Sequence, residues 1–160
     1  MDRKNKRHFL TESNDKQRVM KKYFLITLSL FALLIIYLFQ RVSFAEAINT
    51  ILPESLNIQN AHAIFITNKV VRLILNDLAC MLLIYALFQS RIYLRASFYL
   101  FLAELLIMLP FYLLLKLNLE GDSELSSPML SQIHRLIVNP LLMFLLMLGF
   151  IYQKLKHEKS

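Results

Sequence analysis

Residues 70–89 read VVRLILNDLACMLLIYALFQ, and the rest of the chain has to be arranged around them. Twenty mostly apolar residues at about 1.5 Å each make a helix of about 30 Å, the thickness of a bilayer's hydrocarbon core. Yet Arg72, Asn76 and Asp77 sit inside the stretch. A charged side chain at the centre of a bilayer costs about 2.5–3.5 kcal/mol on insertion scales. Neighbouring helices must shelter such groups, so a bundle is expected rather than a lone anchor.

The composition agrees. Of 160 residues 57% are hydrophobic, well above the usual share for a soluble domain. Two glycines and four prolines favour long helices over a transmembrane barrel, which would show short alternating strands broken by turns. Cys80 is the single cysteine, so neither an intramolecular disulfide nor a Cys-pair zinc site can form. The net charge of +7 is gathered at the ends of apolar runs, as membrane topology requires, and no nucleic-acid-binding motif accompanies it. No nucleic-acid partner is expected.

Four spans follow from the hydropathy pattern, at about residues 23–39, 70–89, 96–116 and 136–153. Residues 1–22 form a basic tail expected to be disordered, and 154–160 a basic C-terminus. In the loop of residues 40–69, Ser43-Phe44-Ala45-Glu46 fits a capping box, which predicts a short interfacial helix over 44–52. The link at 90–95 is so short that spans two and three must form an antiparallel hairpin. Pro110 is expected to bend span three, and Ser127-Pro128 has the form of a helix start. The expected fold is thus all-α, an integral membrane bundle of four transmembrane helices bathed in lipid.

Thirteen of the eighteen Lys and Arg lie in the tail, the 90–95 link and the C-terminus. Basic loops stay cytoplasmic, which places the N- and C-termini inside and two loops outside. Tyr23, Tyr93 and Tyr152 then fall at the inner ends of spans and Tyr37 and Tyr112 near the outer ends, as an aromatic belt would.

Counting along each span from its own outer boundary puts Arg72 about 3 Å deep, Asn139 about 5 Å, Asp77 about 10 Å and Glu104 about 17 Å. With Asn76, and with His134 and Arg135 at the rim, these form a graded polar set that is a candidate partner or ligand contact. Asp77 should pair with Arg135 across neighbouring spans two and four, because Arg72 points to a different face of its own helix. The alternative is that the same groups only glue helices together. Cys80 has no histidine within reach to make a thiolate and reads as a small buried hydrophobe. Neither a metal, a cofactor nor enzymatic activity is expected.

Arg72-Leu-Ile-Leu-Asn76-Asp77, His134-Arg135-Leu-Ile-Val-Asn139-Pro140 and Tyr152-Gln153-Lys154 together resemble small four-span proteins associated with bacterial exosortases, of the exosortase F system-associated type. The likeness runs from residue 70 to residue 154, although His134 and Asn139 stand where that pattern carries a basic residue and Gln. It implies a bacterial cytoplasmic (inner) membrane protein. Its role would be that of a non-enzymatic accessory partner to an exosortase or another polytopic membrane protein. The competing expectation is a small transporter or channel using Glu104 or Asp77 as its coupling carboxylate.

The charge bias generates a topology test. Reporters fused after Ser55 and Asp122 are expected to be active only outside the membrane, and one after Lys159 only inside. A cytoplasmic signal at Asp122 would overturn the four-span arrangement.

Overall fold

Leucine-rich runs wind readily into helix, since straight-chain and γ-branched side chains lose little rotamer freedom there. The computed structural model describes residues 3–39, 42–51, 53, 57–119, 121 and 127–158, and every regular element among them is helical. Helix α1 runs over Arg3–Leu38, α2 over Phe44–Asn49 and α3 over Ala61–Phe88. Then α4 (Arg91–Ala103) passes through one π-helical turn, Glu104–Met108, into α5 (Leu109–Leu119). The chain ends in α6 (Pro128–Ile137) and α7 (Leu141–Glu158).

Three helical stretches are long and apolar enough to cross a membrane: Asn14–Leu38, Ala61–Phe88 and Arg91–Leu119. Leu130–Ile137 and Leu141–His157 make a fourth if the pair, bent by 55°, is counted as one span. The span expected at about 136–153 is thus broken within its first turns, and its regular part runs over Leu141–Glu158. Pro140 has no N–H to give and its ring crowds the preceding turn, so the ladder breaks at Val138–Pro140. There the Leu141 N–H bonds to the Asn139 carbonyl at 2.7 Å instead.

The tail also differs. Helix α1 begins at Arg3 rather than near Tyr23, so the expected disorder over 1–22 is replaced by helix from Arg3 onward. Lys, Arg, Glu and Gln are good helix formers, and the apolar part of α1 supplies the nucleus they extend.

Burial decides which helix is central. Half of the apolar window of α3 is buried, against 6% for α1 and 22% for the Arg91–Leu119 stretch. Helix α3 packs on α1, α2, α4, α5, the π-helical turn and α7. Leu73, Leu109, Tyr112, Ile137 and Val138 form one core, and Cys80, Met81 and Met143 a second. Outward, Phe31, Leu34, Leu106, Ile107, Phe111 and Leu148 are exposed, an apolar exterior suited to lipid. Ser29 and Ser97 are fully buried and return their hydroxyls to their own helices, at the Ile26 and Tyr93 carbonyls, both at 2.9 Å. Small residues of this kind let helix backbones approach closely.

The tight hairpin between α3 and α4 is as expected. Gln89 closes α3 in the left-handed conformation at φ 50°, its N–H bonded to the Tyr85 carbonyl at 2.8 Å. Beside it Phe88, Tyr93 and Phe150 stack with centroids 4.6–5.8 Å apart, joining α3, α4 and α7. Of the expected aromatic belt, Tyr23, Tyr37 and Tyr152 are exposed, but Tyr112 is 1% exposed and belongs to the core.

The expected helix over 44–52 forms as Phe44–Asn49, and residue 52 lies outside the described residues. Ser43 Oγ accepts from the Glu46 N–H at 3.4 Å, the serine half of the capping box. Two asparagines fasten this loop. Asn68 of α3 accepts from the Ala45 N–H at 2.9 Å and donates to Ser43 Oγ at 3.3 Å. Asn49 clasps Ile58 in both directions, at 2.8 and 3.0 Å. Ser127 likewise caps α6 by accepting from the Leu130 N–H at 3.5 Å, with Pro128 first in the helix.

Asn68→Ala removes both bonds that hold α2 to α3. It is expected to cost about 1–3 kcal/mol and to speed amide exchange over residues 44–49 at least tenfold. Unchanged exchange there would show that α2 is held by something else.

Candidate functional site

Successive residues on a helix point about 100° apart, so Asn76 and Asp77 face different neighbours from one place on α3. Asn76, 7% exposed, donates from Nδ2 to the Val138 carbonyl at 3.0 Å. That carbonyl sits at the α6–α7 break, where the helical ladder cannot satisfy it. Lipid supplies no donor, so a side chain from another helix must. The bond makes the second and last apolar segments neighbours, as the shared polar set requires.

On the same side lies a cleft of about 290 Å³ lined by Leu33, Ile36 and Tyr37 of α1, Arg72 and Asn76 of α3, Asn139 and Pro140 of the break, and Phe144 of α7. The cleft lies beside the α6–α7 break, where the chain bends by 55° and Asn139 and Pro140 face it. Its lining mixes the polar Arg72, Asn76 and Asn139 with apolar side chains, which suits a chain or ligand carrying an acceptor group at one end.

Asp77 faces elsewhere. Asp77 and Glu104 are each 1% exposed, and their carboxyl groups meet across the contact between α3 and the π-helical turn, within reach of a shared hydrogen bond. Oδ2 of Asp77 and both carboxyl oxygens of Glu104 find no donor among the described residues. The π-helical turn has a local cause in Pro110. An α-helical ladder would run into its ring, and the wider turn, with the Leu109 N–H bonded to the Glu104 carbonyl, carries the chain past it. Pro110 is thus absorbed by an inserted turn.

The expected Asp77–Arg135 pair does not form. Arg135 is exposed on α6, while Asp77 is buried beside Glu104. The depth count misplaced the partners because it started each span at a separately chosen outer boundary. Counted from the shared hairpin, Asp77 lies twelve residues before Gln89 and Glu104 fourteen after Ser90, about 18 and 21 Å up neighbouring helices. The two carboxyls are level. Asn139 is exposed at the cleft rim, and Asn76 rather than Asn139 satisfies the backbone at the break. His134 sits on α6 beside Arg135, and its side chain lies outside the described atoms. The graded set therefore resolves into three groups: the cleft residues Arg72, Asn76 and Asn139, the carboxyl pair, and Arg135 apart.

Cys80 is free and buried, packed with Met81 and Met143. It stands one turn beyond Asp77, but among the described residues no three His, Cys, Asp or Glu are placed to hold a metal ion. Two buried lysines were missed by hydropathy alone. Lys69 is 5% exposed, with Nζ 5.0 Å from the centre of the Phe65 ring, and Lys116 is 1% exposed four residues beyond Tyr112. The signal was the i, i+4 spacing of Phe65 with Lys69 and of Tyr112 with Lys116.

Comparison with protein-family models, with curated proteins and with solved structures finds no match to this chain.

Asn76→Ala strands the Val138 carbonyl in the core. A loss of about 1–3 kcal/mol is expected, read as a lowered unfolding midpoint in detergent. A midpoint equal to wild type would mean that the break satisfies itself.

Proposed function

We propose that the protein is a non-enzymatic accessory subunit of an exosortase-type protein-sorting system. It binds a polytopic membrane partner through the cleft at the α6–α7 break. The observation that carries this reading is the cleft itself, lined by Arg72, Asn76 and Asn139 together with apolar side chains of α1 and α7. A transmembrane or juxtamembrane segment with an exposed carbonyl or carboxylate has the chemistry to enter it. The resemblance in the Arg72–Asp77 and His134–Pro140 segments supports the choice of partner. With the termini cytoplasmic in a bacterial inner membrane, the cleft opens on the outer side, where sorting tails are processed. Surrounding lipid is the remaining partner, and no cofactor enters.

A second reading, a small carrier or channel, is favoured by one observation: Asp77 and Glu104 are buried side by side in the apolar bundle. A proton-coupled carrier reconstituted in liposomes loses its flux on Glu104→Gln, whereas an accessory subunit keeps its partner.

The test is co-purification with the exosortase expressed in the same cells. Arg72→Gln and Phe144→Ala are expected to reduce the exosortase retained by about tenfold or more, the range of a binding hot spot. Leu114→Ala, on the lipid-facing side of α5, is expected to leave it unchanged. Retention by the cleft variants at the wild-type level, or none by wild type, overturns the proposal.

A further inference from the structure

The carboxyl pair is chemically incomplete as two ionised groups. A carboxylate only accepts hydrogen bonds, so Asp77 and Glu104 would meet oxygen to oxygen. The surroundings do not relieve this. Three of their four carboxyl oxygens are buried without a donor among the described residues. On α3, Asn76 is committed to the Val138 carbonyl, Cys80 is buried one turn from Asp77, and Arg72 stands five residues before it at the cleft. On α5, Tyr112 and Lys116 lie eight and twelve residues past Glu104, about 12 and 18 Å along the helix. Tyr99 is the only ionisable side chain over residues 96–103 of α4 and is 70% exposed. None of residues 141–151 on α7 ionises. Among the described residues no cation forms an ion pair with either carboxyl, and no metal-binding group is present.

The smallest species that completes the contact is a proton. It turns one carboxylate into a donor and removes one of two like charges from an apolar core, where both together are far more costly than one. We propose that Asp77 and Glu104 form a proton-binding site inside the bundle. A single proton bridges the two carboxyls and fastens the π-helical turn to α3. The site has a structural consequence because of where it lies. The α-helical ladder is already interrupted at Glu104–Met108, where the Leu109 N–H bonds to the Glu104 carbonyl, so the pair sits at an irregular turn of the Arg91–Leu119 helix. Removing the proton leaves two like charges face to face across the contact between this turn and α3. The site uses no side chain assigned to partner binding and stands independently of that proposal.

The test is infrared spectroscopy of the full chain in lipid nanodiscs. Wild type is expected to show a protonated-carboxyl stretch at neutral pH that shifts in heavy water and bleaches as the pH is raised. Because one proton serves both groups, the band should be lost in Asp77→Asn and equally in Glu104→Gln, where the amide N–H₂ becomes the donor. Survival of the full band in either single variant would show a lone neutral acid and overturn the shared proton. So would a wild-type protein without any pH-sensitive carboxyl band, a measurement that needs no variant to fold.

Discussion

Lipid offers no hydrogen bonds, so every polar group carried into the bundle needs a partner within the protein. Among the described residues helix α3 carries more of them than any other helix: Lys69, Asn76 and Asp77 are all buried along it. A helix with polar groups on several faces cannot lie at the edge of a membrane bundle. It must be surrounded, and α1, α2, α4, α5, the π-helical turn and α7 all pack on it. The low burial of α1 is the complement of the same rule. Its side chains are apolar nearly all round between Tyr23 and Leu38, so it can face lipid on most of its circumference and needs only one stripe against α3.

The two helical irregularities are consequences of proline, but they differ in what they leave behind. At Pro110 the chain inserts a π-helical turn and the helix continues, and the turn places Glu104 against Asp77. At Pro140 the helix stops and restarts at an angle, which leaves an unsatisfied Val138 carbonyl. Asn76 supplies the missing donor, and the cleft lies beside the break. Both irregularities therefore face adjacent residues of α3, about 100° apart around that helix: Asn76 bonds the backbone at the break, and Asp77 meets the Glu104 side chain at the turn. Kinks in membrane helices are tolerated where neighbours re-satisfy the freed backbone groups, and here the neighbour is identifiable by residue.

Much of this was legible from residue types. The apolar lengths located three crossing helices and most of the last, and Ser43, Ser127-Pro128 and the short link after Gln89 marked their ends. What hydropathy could not supply is register between helices, because a span can slide by several residues in lipid with little change in its average hydrophobicity. That is why Asp77 was matched with Arg135 and not with Glu104. The hairpin at Gln89-Ser90 holds the missing information, since a two-residue link fixes how far up each helix every later residue lies. The burial of Tyr112 was likewise set by what neighbouring segments could cover, which a residue-by-residue count does not see.

The orientation of α3 about its own axis is fixed from two sides at once. Asn76 reaches the break between α6 and α7, while Asp77 reaches the π-helical turn, about 100° around the helix. Rotating α3 by one residue so that Asp77 took the place of Asn76 would set its carboxyl against the Val138 carbonyl, acceptor against acceptor, and would leave Glu104 facing Leu78. Neither apolar core could prevent such a slip alone, because Leu, Met and Val side chains tolerate repacking at small cost. Hydrogen-bonded groups do not, since each misplaced partner leaves a buried polar atom unpaired at about 1–3 kcal/mol. Stability here comes chiefly from close packing of the apolar surfaces, as in membrane helices generally, and the polar side chains of α3 select one rotation of that helix from the many that would pack almost as well. A carboxyl pair that costs energy to bury thus earns its place through specificity, and the same pairing puts a titratable group where the backbone is least regular.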